Sequence, residues 1–134
     1  MIGILIVTHE HLGEHLIRCA CHVVAEKPER LMHLGVFAAD NPDDVLVDMR
    51  ETVRQLDAGD GVLVLCDILG ATPCNIATRL TEANRVACIT GVNLPMLVRA
   101  LTYRNETLST VVEKALGGGK NGIIVIPEVT DHAA

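Results

Sequence analysis

The chain is 134 residues long, 49% hydrophobic, and carries a formal net charge of -6, which suits one domain with a real core and leaves too little chain for two. The negative balance, with Lys and Arg scattered rather than clustered, argues against a nucleic-acid partner. With no Trp, one Phe and one Tyr, the core is aliphatic and a flavin or any cofactor gripped between aromatic rings loses its support, so no cofactor is expected.

No apolar run reaches the ~20 residues a membrane helix needs, and residues 1–7 are too short and lack the basic flank of a secretory signal; no direct membrane insertion and a cytoplasmic location are expected. Cys19, Cys21, Cys66, Cys74 and Cys88 are odd in number, lie in apolar stretches and show no C-x-x-C spacing, the pattern of free thiols in a reducing compartment.

In chain order, residues 2–8 open the protein as a continuous apolar run that reads as a strand covered on both faces. Residues 11–24 follow with apolar positions at Leu12, Leu16, Ile17, Ala20, Val23 and Val24, a helical stripe closed off before Pro28. A second strand spans 31–36. Asn41, Pro42, Asp43 and Asp44 then start a helix that runs to about Gln55: Asn41 caps free N–H groups, Pro42 suits the first turn, and the acids oppose the positive dipole end. Strands at 61–66 and 86–90 are followed by short helices at 73–80 and 95–101, each opened by a polar residue near a proline. A last helix is expected at 107–116, a flexible hinge at Gly117, Gly118 and Gly119, a strand at 122–126, and a polar tail over 127–134. The domain is expected to end at residue 126.

Strands alternating with helices predict a doubly wound α/β fold, a mainly parallel sheet with helices on both faces. The C-terminal strand would lie at one edge. Ligands of such sheets bind beyond the carboxyl ends of the strands, where the strand order reverses. Strand one delivers Thr8, His9 and Glu10 there, strand three Asp67 and then Gly70, Ala71 and Thr72, and strand four Thr90 to Asn93. An order of 2-1-3-4 makes His9 and Asp67 neighbours. A neutral imidazole is nucleophilic at one nitrogen only while the other carries the proton, and a carboxylate fixes which. His9 is therefore the candidate nucleophile for phosphorus, and Asp67 the group that orients it and stabilises its developing charge. Thr72 offers a hydroxyl to phosphoryl oxygens, the helix start offers backbone N–H groups at Cys74 and Asn75, and Gly70 and Ala71 allow close backbone approach.

Three blocks at these positions, IGILIVTH (2–9), GVLVLCDILGATPCN (61–75) and TGVNLPM (90–96), resemble the mannose-type (fructose/mannose) enzyme IIA domain of the bacterial phosphoenolpyruvate-dependent sugar phosphotransferase system. The resemblance covers residues 1 to about 126. It implies that His9 is transiently phosphorylated by the phosphocarrier HPr and discharged to a mannose-type IIB protein, with Asp67 in support. It also implies a homodimer, in which the C-terminal strand can cross to the partner's sheet. It does not specify a sugar, because a IIA domain of this family touches partner proteins only. Three positions depart from the family pattern. Ala71 stands where a second glycine is usual, which should alter the local backbone angle; Cys66 replaces Thr or Val; and Glu10 replaces glycine, placing an acid beside the incoming phosphoryl group.

Rival readings use other residues. His11, His15, Cys19 and His22 recur at helical spacing and suit zinc, although one straight helix cannot wrap all four around an ion. A response-regulator receiver would need acids after strand one, and a flavodoxin-like module a phosphate loop and stacking aromatics. A domain that signals through its phosphorylation state without feeding a permease would use the same His9 chemistry.

Overall fold

A computed structural model describes residues 1–129. Four parallel strands form one sheet in the order β2-β1-β3-β4: β1 (Gly3–His9), β2 (Leu31–Val36), β3 (Val62–Cys66) and β4 (Val86–Thr90). The helices between them are α1 (Leu12–Val24), α2 (Pro42–Leu56), α3 (Thr72–Ala77), α4 (Leu94–Tyr103) and α5 (Leu108–Asn121). A turn of 3-10 helix, Thr78–Leu80, completes the stretch expected as a single helix.

The continuous apolar runs of β1 and β3 follow from their place in the middle of the sheet. Leu5, Val7, Val62, Val64 and Cys66 pack with Val45 and Met49 of α2 and Cys74, Ile76 and Ala77 of α3. On the opposite face Ile4, Ile6, Leu63 and Leu65 pack with Ala20 of α1, Leu97 and Ala100 of α4 and Val111 and Ala115 of α5. Each such buried aliphatic side chain contributes about 1.5–3 kcal/mol by leaving water. The chain leaves β1 for β2 on one side and then crosses to β3 on the other. The sheet reverses between β1 and β3, opening a crevice at their carboxyl ends.

The caps read from sequence form as expected at two helices. Asn41 Oδ1 accepts from the amides of Asp43 (2.9 Å) and Asp44 (3.4 Å), and Asn93 Oδ1 from that of Met96 (2.9 Å). At the opposite end of the sheet the buried Arg104 side chain, 4% exposed, donates to the carbonyls of Ile2, Glu29 and Arg30. It thereby ties together the starts of β1 and β2.

The C-terminal part differs from expectation. Gly117, Gly118 and Gly119 form no hinge: they continue α5 to Asn121. A Cβ on Gly118 would stand 2.7 Å from Arg99 Cβ, and one on Gly119 2.8 Å from Met96 Cε. These glycines let α5 lie close against α4, a role in close approach rather than in flexibility. The expected strand at 122–126 belongs to no sheet within this chain. Gly122 caps α5, and Ile123, Ile124, Val125 and Ile126 are exposed; among the described residues the outer edge of β4 carries only an isolated bridge from Glu82 to Val86 and no strand. The polar tail lies outside the described residues from Thr130 onward.

Candidate functional site

His9 ends β1, and Asp67 follows the last residue of β3. Parallel pairing sets Val7 against Cys66, so the residues just beyond fall side by side at the crossover. The His9 amide donates to Asp67 Oδ2 at 2.9 Å, and His9 Nδ1 lies 2.7 Å from the same oxygen. Asp67 Oδ1 accepts from the Ile68 amide at 2.9 Å. The Asp67 side chain is 10% exposed and the His9 ring 51%, so the carboxylate is fixed beneath a ring that solvent reaches.

Burial by itself would push the Asp67 carboxyl up. The His9 amide, the His9 ring and the Ile68 amide outweigh that effect and hold it below the ordinary carboxylate range. An ionised carboxylate only accepts hydrogen bonds, so Nδ1 carries a proton, and in the neutral ring the lone pair then falls on Nε2. Geometry and charge together define one tautomer.

His9, Glu10, Val36, Phe37, Asp40 and Thr72 line one cleft of about 270 Å³. Thr72 is thus brought to His9, but as the first helical residue: the N-cap is Ala71, and no side chain caps α3. Gly70 takes φ +86°, which glycine adopts without strain. Ala71 is ordinary extended backbone at φ -93°, ψ 164°, so the change from a second glycine requires no special angle. Asn75 does not offer its amide to a ligand, because that N–H donates to Ala71 O at 2.9 Å. Asn75 is the first residue of α3 with an intrahelical acceptor; the preceding amides of Thr72 and Cys74 have none, and Pro73 has no N–H. The Cys74 side chain is buried in the core.

Thr8, delivered with His9 by strand one, shapes the site together with two residues that the sequence did not point to, Phe37 and Asp40. Thr8 Oγ1 accepts from the Gly13 amide at 2.8 Å and donates to His9 O at 3.1 Å, pinning the turn between β1 and α1. Phe37 stands at the cleft wall, edge-on to His11 with ring centroids 5.2 Å apart. Asp40 Oδ2 accepts from the Phe37 amide at 2.8 Å and adds an acid to the lining. The one available signal was the chain's sole phenylalanine placed directly after a strand. Glu10 sits in the left-handed region at φ +47°, with its amide held by Val36 O at 3.0 Å, which explains why glycine is the usual residue there.

Of the residues in the zinc reading, His15, Cys19 and His22 are exposed on α1 and His11 is exposed at its N-cap, and among the described residues no three His, Cys, Asp or Glu side chains gather as a metal site requires. Among the same residues no helix is long and apolar enough to cross a membrane.

A four-stranded parallel α/β sheet that presents a carboxylate-held, half-exposed histidine at its crossover is the architecture of a small histidine-centred domain. The chain belongs to the mannose/fructose enzyme IIA family of the sugar phosphotransferase system: the family model described as "PTS system fructose IIA component" matches residues 3–116. It is 30% identical over 125 residues to the mannose-specific EIIAB component of Escherichia coli strain K12, covering 91% of this chain. The chain spans 38% of the length of that relative. Among solved structures it is similar to phosphotransferase system component EIIA from Streptococcus agalactiae, with a TM-score of 0.82 and 27% identity over 93% of this chain and 97% of that one. The mannose/sorbose-specific IIA subunit from Enterococcus faecalis shares the fold, with a TM-score of 0.82 at 21% identity over 96% of this chain and 98% of that one.

Proposed function

We propose that this chain is a cytoplasmic phosphohistidine carrier that accepts a phosphoryl group from HPr on Nε2 of His9 and passes it to a mannose-type IIB protein. The observation that carries this reading is the 2.7 Å contact between His9 Nδ1 and Asp67 on a ring that is 51% exposed. The Nε2 lone pair attacks phosphorus while the bond from phosphorus to the donor's histidine nitrogen breaks. Positive charge builds on the His9 ring, and the Asp67 carboxylate stabilises it. The second transfer reverses these roles, with the IIB nucleophile attacking and neutral His9 leaving. Thr72 and the unpaired amides at the start of α3 are the donors within reach of the cleft for phosphoryl oxygens, helped by the turn at Gly70 and Ala71. No Lys or Arg lines that cleft, so the transferred group owes its neutralisation to the donors of the chain and to the partner proteins.

We further propose that the chain forms a homodimer, a reading with physical support. Residues 123–126 are apolar and exposed, and beyond the Glu82 bridge at Val86 the outer edge of β4 pairs with no strand among the described residues, so a strand from a second copy could cover both. The carrier reading is tested by incubating the protein with phosphoenolpyruvate, enzyme I and HPr. The expected product is an acid-labile, alkali-stable adduct mapped to Nε2 of His9 by nitrogen-phosphorus NMR coupling and absent from His9→Ala. Labelling that persists in His9→Ala overturns the reading.

A further inference from the structure

The side chain of Cys66, which immediately precedes Asp67, points away from the His9 crevice and into the core layer under α3. There its sulfur lies 3.5 Å from that of Cys88. Cys66 pairs with Thr90 and Val64 with Cys88, so the two thiols are diagonal neighbours on one face of adjacent parallel strands. Cys74 packs in the same layer. Thr90 Oγ1 is buried without a hydrogen-bond partner beside the thiols of Cys66 and Cys74. Cys66 is fully buried, whereas Cys88, on the edge strand β4, is partly exposed. Neither thiol has a part in the chemistry of His9, and a merely apolar core would not need two sulfurs aimed at each other.

We propose that Cys66 and Cys88 form a reversible disulfide in the presence of a peroxide and that this bond switches off the His9 site. Cys88 is the entry point: donation from the Cys66 thiol favours its thiolate, while hydrogen bonding to Cys88 and burial push Cys66 up. The Cys88 thiolate attacks the O–O bond and becomes a sulfenic acid, releasing hydroxide, or alkoxide from an organic peroxide. The Cys66 sulfur, losing its proton, then displaces the sulfenic oxygen, which leaves as water. The sum is two thiols and one hydrogen peroxide giving one disulfide and two waters. The unpartnered Thr90 hydroxyl is a ready donor to the cluster as Cys66 deprotonates.

The register sets the two Cα atoms one strand spacing and two residues apart, about 8 Å against the roughly 4.4–6.8 Å a disulfide spans, so closing the sulfurs from 3.5 Å to about 2.05 Å pulls one strand end toward the other. The peptide after Cys66 is that of Asp67, whose carboxylate accepts two hydrogen bonds from His9. A displacement there detunes the ring, and misplacement of about 1 Å can slow a positioned reaction by on the order of 100-fold. The cross-link stands on sulfur geometry alone; its effect on His9 rests on the carrier reading above.

The test uses the full chain treated with hydrogen peroxide, blocked with iodoacetamide in denaturant so that buried thiols react, and digested without reduction. A peptide joining Cys66 to Cys88 is expected, reversed by dithiothreitol, absent from Cys88→Ser and retained in Cys74→Ser. Cys66 and Cys88 recovered alkylated after the exposed Cys19 has been oxidised overturns the cross-link. In the second arm, cross-linked protein should accept phosphoryl groups from HPr at least about tenfold more slowly and recover on reduction, while peroxide-treated Cys88→Ser keeps its rate. A mapped cross-link with unchanged labelling overturns the switch. Failure of the reduced wild type to label at all overturns the carrier reading and leaves the cross-link intact.

Discussion

Replacing Asp67 with Asn separates charge from shape at the site. Asp67 Oδ2 accepts from both the His9 amide and the His9 ring, and Oδ1 accepts from the Ile68 amide. An Asn oxygen placed at Oδ2 keeps the first two bonds, but its NH₂ then meets the Ile68 N–H donor to donor. That amide is exposed, so water can replace the lost acceptor and the fold should lose only about 1 kcal/mol. The larger effect is on the transition state, because a neutral amide does not balance charge building on imidazole. A pair of unit charges about 4 Å apart gains about 4 kcal/mol at an effective dielectric of about 20. Exposure of half the His9 ring screens this further, and a retained contribution of about 2 kcal/mol corresponds to roughly 30-fold in rate. Single-turnover transfer from phosphorylated HPr, followed by quench and acid-free gel analysis, should therefore slow by about 10–100-fold, with a circular dichroism spectrum unchanged from wild type. A change below about threefold, or less than 1 kcal/mol, would reduce Asp67 to a tether for the backbone and refute the charge argument.

Glu10→Gly removes a non-glycine residue from φ +47° and should raise stability by about 0.5–1 kcal/mol in thermal melts, since the left-handed strain relieved exceeds the added freedom of the unfolded chain. It also takes a carboxylate off the cleft wall, so transfer from HPr should speed up, most clearly at low salt. Gly118→Ala should cost about 1–3 kcal/mol by driving a Cβ to within 2.7 Å of Arg99 Cβ. Gly117→Ala, whose Cβ meets open space, should gain about 0.5–1 kcal/mol, and equal effects at the two positions in urea unfolding would contradict the close packing of α5. Asp57 is raised by burial, but the amides of Gly59 and Gly61 and the Arg85 side chain outweigh this and lower its pKa. Its stabilisation is thus present above the unfolded-state value of about 3.9 and is lost as pH falls through the lower folded-state value. Asp57→Asn should cost about 1–3 kcal/mol at neutral pH and flatten the acid limb of the stability profile, which urea titrations from neutral pH into the acid range would measure.

Much of the fold was legible because the apolar patterns are periodic and the helix starts are chemically explicit. Continuous runs at β1 and β3 could belong only to strands covered on both faces, and Asn41 and Asn93 announced caps that form as read. The pairing of His9 with Asp67 needed only a strand order and the rule that ligands sit where that order reverses. Legibility failed where a residue serves partners distant in sequence. The run Gly117 to Gly119 has the composition of a hinge, but Arg99 and Met96 of α4 turn Gly118 and Gly119 into a packing surface. Residues 122–126 have the composition of a strand, yet they pair with no strand among the described residues. Thr72 carries a cap's side chain, but the turn after Gly70 places it one residue inside the helix.

The sequence alone determined the alternation of strands and helices, the position of His9 at a strand end, and Asp67 as the only nearby acid on strand three able to hold it. These are local properties: periodicity, capping chemistry and the order of blocks along the chain. Tertiary structure decided which nitrogen of His9 faces Asp67, because that depends on a 2.7 Å contact between residues 58 positions apart. It also brought Phe37 and Asp40 to the cleft wall and set Cys66 against Cys88. Each of those relations is set by the lateral pairing of strands, which fixes neighbours across the sheet that no local pattern encodes.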